Sequence, residues 1–232
     1  MNGYSTSAIG TEALDDPATD PALVVRMLGD IARANRWFGG TRTVHTGLEW
    51  LLEPGDRGRT LTLLDIGTGA GDLPLDAVRW ARARGVTLRP LGIERIPAAA
   101  QLARRNGVPT LLACGTAQPV ADRGVDIVLM SQLAHHLDDV GIVALFAECS
   151  RVARRGVIVA DLRPSSMAEV AFRVGGAVLA LHPMTVSDGI TSLRRGFSTA
   201  RLTRLLDQGT HRERCLVTQP IARVLACWRT DR

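Results

Sequence analysis

At 232 residues the chain has room for one complete α/β domain with a modest extension and not for two enzymes. Hydrophobic residues make up 46% and charged residues 22%, the mixture of a globular protein and not of a disordered or fibrous one. All 28 basic residues are arginine, which excludes a P-loop lysine, a Schiff base and a lysine nucleophile, and the formal charge of +5 is scattered rather than clustered as at a nucleic-acid face.

In chain order, residues 1–20 mix Gly, Ser, Thr, Asp and Pro without apolar periodicity and read as a poorly ordered tail. Leu23, Val24, Met27, Leu28 and Ile31 then recur at helical spacing, and a second helix over 43–52 stops at Pro54-Gly55, so residues 21–60 form a helical extension. The domain proper, 61–232, opens with a strand at 61–66 and a helix at 73–84. Strands at 89–94, 110–113, 125–130 and 157–161 follow, with helices at 97–106 and 140–152. Strands alternating with helices of about ten residues predict βαβ units in a doubly wound, mostly parallel sheet. The alternation lapses over 162–198, where a substrate-cap insertion is expected: an apolar helix at 167–181, then a turn-rich stretch through Pro183 and Gly189. A helix at 199–207 and two strands at 215–218 and 222–228, with a hairpin at Pro220, read as an antiparallel finish.

Cys114, Cys149, Cys215 and Cys227 form no C-x-x-C pair, so zinc spacing and a redox motif are missing and no metal is assigned. Neither a signal-peptide pattern nor a membrane-length apolar run is found, which leads to the expectation of a cytoplasmic protein.

The strongest chemical signal is Leu61-Thr62-Leu63-Leu64-Asp65-Ile66-Gly67-Thr68-Gly69-Ala70-Gly71-Asp72-Leu73: a buried strand, an acid at its carboxyl end, and three alternate glycines opening a helix. Gly67, Gly69 and Gly71 permit a tight turn and close approach of a ligand, while Asp65 and the helix N-terminal amides hold polar groups. Glu94, ending the next strand, is positioned for both hydroxyls of a ribose. The G-x-G-x-x-G fingerprint from Gly67 needs Gly or Ala at position 72; Asp72 stands there and would repel a pyrophosphate, so an adenosyl ligand bearing an amino acid fits better than a nicotinamide cofactor.

These residues resemble the class I S-adenosylmethionine-dependent methyltransferases, with 63–74 similar to their first motif and Leu91-Gly92-Ile93-Glu94 to their second. The resemblance implies a Rossmann-like fold with a seven-stranded sheet and an antiparallel last strand. It also implies S-adenosylmethionine as cofactor, with Asp65, Gly67, Thr68, Gly69 and Gly71 around the methionine moiety, and Glu94 and Arg95 at the ribose. Gly115, Thr116 and Ala117 stand at the adenine, Thr116 where many relatives carry an acid, and Ser131 and Gln132 flank the sulfonium. More loosely, Asn35 to Gly40, the histidine pair, Asp161-Leu162-Arg163 and Arg194 to Ser198 are similar to bacterial small-molecule methyltransferases of polyketide and quinone pathways.

Methyl transfer requires an acceptor atom in line with the sulfonium methyl and a base only where a proton leaves. His135 and His136 are the candidate bases, although neighbouring histidines at a helix start are not expected to enter one pocket together. Asp161, at a strand's carboxyl end, is a candidate for orienting a base or substrate. Each has a plain structural alternative as a cap or packing group. Arg163, His182 and the apolar 170–181 segment are further candidates for the acceptor side. The expected reaction is methylation of a small, mostly apolar acceptor (a phenol, quinol or polyketide-like compound), at oxygen ahead of carbon. A nucleic-acid substrate is disfavoured, a monomer or homodimer is expected, and a non-catalytic adenosyl-binding protein and an NAD-dependent oxidoreductase stand as rivals.

Overall fold

The computed structural model describes residues 10–208 and 213–230. Strands β1 (Thr60–Ile66), β2 (Thr87–Glu94), β3 (Thr110–Leu112), β4 (Val125–Ser131), β5 (Ala153–Leu162), β6 (Arg214–Gln219) and β7 (Arg223–Arg229) form one sheet in the order β3-β2-β1-β4-β5-β7-β6. The first five run parallel, and β7 inserts antiparallel between β5 and β6, with Leu162 opposite Arg223. This is the seven-stranded, doubly wound architecture expected from the alternating pattern and the resemblance.

Helices α1 (Pro21–Trp37) and α2 (Gly40–Leu51) precede the sheet; α3 (Asp72–Arg82), α4 (Pro97–Arg105), α5 (Asp139–Val152) and α8 (Thr199–Asp207) cover its faces. On one face Leu48, Leu51 and Ala77 pack on Leu63, Ile127 and Ile158; on the other Ile142, Phe146 and Leu206 pack on Val128, Val157 and Trp228. Each large apolar side chain buried this way contributes about 1.5–3 kcal/mol. The two cores fix the sheet and leave its carboxyl edge free to carry polar groups. Strand order reverses between β1 and β4, which opens a crevice at that edge where α/β sheets bind ligands.

Residues 162–198 contain two helices, α6 (Ser166–Val178) and α7 (Pro183–Arg195). The expected turn-rich stretch through Pro183 and Gly189 is therefore corrected. Pro183 occupies the first helical position after the His182 cap, where its missing N–H costs nothing. Gly189 is a notch and not a turn: a Cβ there would collide with the ring of Phe172 on α6. Asp30, fully buried on α1, fastens α1 to α7 by accepting from the His182 amide at 2.6 Å and Thr185 Oγ1 at 3.1 Å.

Residues 10–20 are also corrected from a poorly ordered tail; 1–9 lie outside the described residues. A 3-10 turn at Ala13–Asp15 docks on α7, where Asp188 accepts from the Ala13 amide at 2.8 Å and Ser192 Oγ donates to Glu12 at 2.8 Å. The partners lie about 180 positions away in sequence, so local periodicity carried no trace of them.

Candidate active site

A cavity of about 520 Å³ runs along the crevice from the turn after β1 to the start of β7. Gly67, Gly69 and Gly71 adopt φ of 71°, 55° and 77°, the left-handed region that favours glycine. A Cβ on Gly71 would lie 2.7 Å from Val108 Cγ2, so the turn is closed against α4 and its following loop. Glu94 braces the turn from β2: Oε2 accepts from the Gly69 amide at 2.9 Å, and Oε1 from the Arg95 and Ile96 amides at 2.7 and 3.0 Å. Burial pushes the Asp65 carboxyl well above the usual carboxylate range. Ser131 Oγ is buried with no protein hydrogen-bond partner, Thr68 stands beside Asp65, and both residues line the cavity wall. Together these groups fit a ligand with an amino-acid end and a sugar diol.

Arg95, Gly115 and Thr116 line the same end, whereas Ala117 is not on the wall. Thr116 is exposed, with its hydroxyl 3.2 Å from Cys114 Sγ. Gln132, at φ 51°, donates to Asn35 Oδ1 at 2.7 Å, and Asn35 Nδ2 donates to Asp72 Oδ2 at 3.0 Å. This chain of amides draws α1 across the crevice and holds the acid that the sequence reading set against a pyrophosphate. Burial pushes the Asp72 carboxyl upward.

The histidine pair lies on a 3-10 turn, Ala134–His136, and the two rings do not diverge: they stack with centroids 4.3 Å apart. Each Nε2 lies 3.8 Å from a carboxylate oxygen of Glu12. His136 lines the cavity, and His135, almost fully buried, sits behind it. Each Nδ1 has its own carboxylate, Asp161 Oδ1 at 2.6 Å for His135 and Asp15 Oδ1 at 2.8 Å for His136. Burial works to raise Asp161 and Asp15, but the adjacent histidines outweigh it, and both carboxyls are held below the usual range. Glu12 has the opposite balance, and its burial pushes it up. Arg195 Nη1 donates to Glu12 Oε1 and Asp15 Oδ2, both at 3.1 Å. Glu12, His135 and His136 bring ligand-type atoms within 4.8 Å of one another. A cation among them would meet the Arg195 guanidinium already bonded to Glu12, and the arrangement reads as a charge network.

The remaining wall is mostly apolar, Phe38, Phe172, Leu162, Leu193 and Ile221, with Arg223 and, from α7, Thr185, Asp188 and Ser192. The side chains of Arg163 and His182 are not on it. His182 caps α7, accepting from the Met184 amide at 3.2 Å. From α6 it is Ala168 and Phe172 that face the cavity, while Val170, Val174 and Val178 are exposed to solvent. Sequence reasoning missed Glu12, Asp15, Arg195 and Arg223 as site residues. The loose likeness of 194–198 to small-molecule methyltransferases was a signal for Arg195 alone, and nothing in the sequence marked Glu12, Asp15 or Arg223.

The sheet order, the glycine turn after β1 and the acid closing β2 define a class I S-adenosylmethionine-dependent methyltransferase domain. Residues 64–160 match the family described as Methyltransferase domain. Residues 64–160 thus carry an S-adenosylmethionine-dependent methyltransferase domain. No curated protein matches the chain in sequence. Among solved structures, a putative O-methyltransferase from Nostoc punctiforme is similar with a TM-score of 0.63 at 15% identity, covering 96% of this chain and 64% of its own length. A SAM-dependent methyltransferase from Aquifex aeolicus gives 0.63 at 16% identity, over 91% of this chain and 98% of that one. Human N-acetylserotonin methyltransferase in complex with SAM gives 0.60 at 13%, over 90% and 56%. The chain thus spans less than two thirds of the first and third of these. At such identities the likeness is one of fold. Among the described residues no helix is long and apolar enough to cross a membrane.

Proposed function

We propose that the enzyme transfers the methyl group to an oxygen of a small, mostly apolar acceptor, a phenol, quinol or polyketide-like compound, with carbon as the second choice of atom. The observation that carries this reading is His136 on the wall of a largely apolar cavity, with its Nδ1 paired to Asp15. S-adenosylmethionine supplies an electrophilic methyl group; everything else is positioning and proton removal. Asp65, Thr68 and the glycine turn hold the amino-acid end of the cofactor, Glu94 and Arg95 the ribose, Gly115 and Thr116 the adenine side, and Ser131 and Gln132 the strand end beside the reacting atoms. With Asp15 accepting from Nδ1–H, the free lone pair of His136 is on Nε2, which takes the acceptor's hydroxyl proton as the oxygen becomes nucleophilic. Asp15 then stabilises the imidazolium. His135, hydrogen-bonded to Asp161, packs behind His136 and fixes its ring, so His135 and Asp161 serve as positioning residues. Likeness of the 35–40 and 194–198 segments to polyketide and quinone methyltransferases supports the acceptor class, because Asn35, Phe38 and Arg195 stand at or against the cavity.

The test is a transfer assay with S-adenosylmethionine carrying a heavy methyl, run over phenols, quinols and polyketide pyrones with mass spectrometry of the products. The expected result is label on an acceptor oxygen, with His136→Asn slowing transfer by about 10²–10⁴-fold. Label on carbon or nitrogen, or full activity in His136→Asn, overturns the reading.

A further inference from the structure

Two arginines are buried in or against the cavity wall, and they differ in one respect. Arg195 is surrounded by acids, Glu12 and Asp15. Arg223 is 4% exposed, and its Nε donates to the Phe38 carbonyl at 3.0 Å. Among the described residues that is its one hydrogen bond, and no carboxylate stands within ion-pair distance. The charge it feels most, Asp161, lies beyond ion-pair distance; its Oδ1 is committed to His135 and to the Leu162 amide, while its Oδ2 is buried with no hydrogen-bond partner. A guanidinium offers five N–H donors in a planar fork, and burying it without an anion is costly. Burial accordingly drives the Arg223 side chain down to about 10.

The surroundings indicate what the anion is attached to. Phe38 and Phe172 meet edge to face with centroids 5.1 Å apart. Neither ring is free to swing: the missing Cβ of Gly175 leaves space that Phe38 fills, and that of Gly189 leaves space that Phe172 fills. Leu162 and Ile221 complete an apolar wall beside the guanidinium. Arg223 opens β7, three strands from β1, or about 14 Å at ordinary strand spacing. It therefore belongs to the end of the cavity away from the glycine turn.

Resting on the reading of the cavity as a methyl-acceptor site, we propose that Arg223 binds a carboxylate of the acceptor, so that the substrate is a hydroxylated aromatic or polyketide-derived acid whose ring lies against Phe38 and Phe172. The planar fork takes a carboxylate through two parallel hydrogen bonds, and the apolar wall discriminates against small hydrophilic acids. The methylated atom remains the hydroxyl oxygen, and the acid serves as a handle.

Calorimetry on the protein saturated with S-adenosylhomocysteine tests this, using 4-hydroxybenzoate, 2,4-dihydroxybenzoate and 2,4-dihydroxy-6-pentylbenzoate, each beside its methyl ester. At least one acid is expected to bind tenfold or more tightly than its ester. Arg223→Gln should bring that ratio to about one and leave S-adenosylhomocysteine affinity within twofold, whereas Arg223→Lys, which keeps a cation, retains part of the preference and guards against a folding artefact. Equal binding of acids and esters, no binding of any acid, or an undiminished preference in Arg223→Gln overturns the proposal. Weakened S-adenosylhomocysteine binding in Arg223→Gln also overturns it, since the arginine would then hold the cofactor's own carboxylate. If the wild-type protein does not bind S-adenosylhomocysteine, it is the methyltransferase reading of the cavity that fails.

Discussion

The two ends of the cavity are built in different ways. At the cofactor end, a turn of five residues and one acid do the work: Gly67 to Gly71 provide backbone amides, and Glu94 braces them across adjacent strands. At the acceptor end, side chains from six places converge: Glu12 and Asp15, Phe38, His136, Phe172, Arg195 and Arg223. The first is stabilised by backbone conformation and the second by long-range charge pairs and ring packing. On the proposed reading, cofactor binding rests on a short glycine turn, while the part that would select a substrate is assembled from segments far apart in sequence.

The sharpest way to break the acceptor end is to remove its central cation. Arg195→Met takes the guanidinium from the buried Glu12 and from Asp15, leaving them Ser192 and His136, and unfolding in urea should show a loss of about 3–5 kcal/mol. Amide exchange over residues 10–20 should rise in the same variant. A loss near zero would mean that the segment is held by something else. Next in size, Gly71→Val strikes the cofactor end. Left-handed strain and overpacking against Val108 together cost about 2–4 kcal/mol, and S-adenosylhomocysteine should no longer raise the melting temperature.

The histidine network has a pH signature. Asp161 is held below its ordinary value in the fold, so its contribution is complete above the unfolded pKa of about 3.9 and is lost as pH falls through the lower folded value. Asp161→Asn should be less stable than wild type at pH 7, with the gap narrowing below about pH 4 in urea titrations. Glu12, pushed upward by burial, acts in the opposite sense, and Glu12→Gln should lose least at neutral pH and more as the solution is acidified. The smallest effect is expected at the seam between the two ends: Gln132→Ala removes one partly buried hydrogen bond to Asn35, for about 0.5–1.5 kcal/mol, read from the same urea curves.

This contrast also explains what was legible in the sequence. The sheet, Asp65, the glycine turn and Glu94 could be read because each depends on neighbours within one βαβ unit, where spacing and periodicity carry the information. The helix α7 was misread because Pro183 and Gly189 look like turn residues in isolation, and only the ring of Phe172 shows why Gly189 is needed inside a helix. Residues 12–15 looked unstructured because their order comes from Asp188, Ser192 and Arg195. The histidines were found by type, but their stacking and separate carboxylate partners follow from a 3-10 turn that no period reveals. Arg223 was invisible among 28 arginines, since nothing local marks a buried one.

The central claim, that the turn after β1 and the acid ending β2 hold the cofactor, is tested most directly by calorimetric titration of S-adenosylhomocysteine into the wild-type protein and Glu94→Ala, with folding of both checked by circular dichroism. The account predicts one site in the wild type and an affinity about tenfold to a hundredfold weaker in the variant, the worth of a charge-assisted hydrogen bond. Absence of binding to the wild type, or equal affinity in the two proteins, would contradict it.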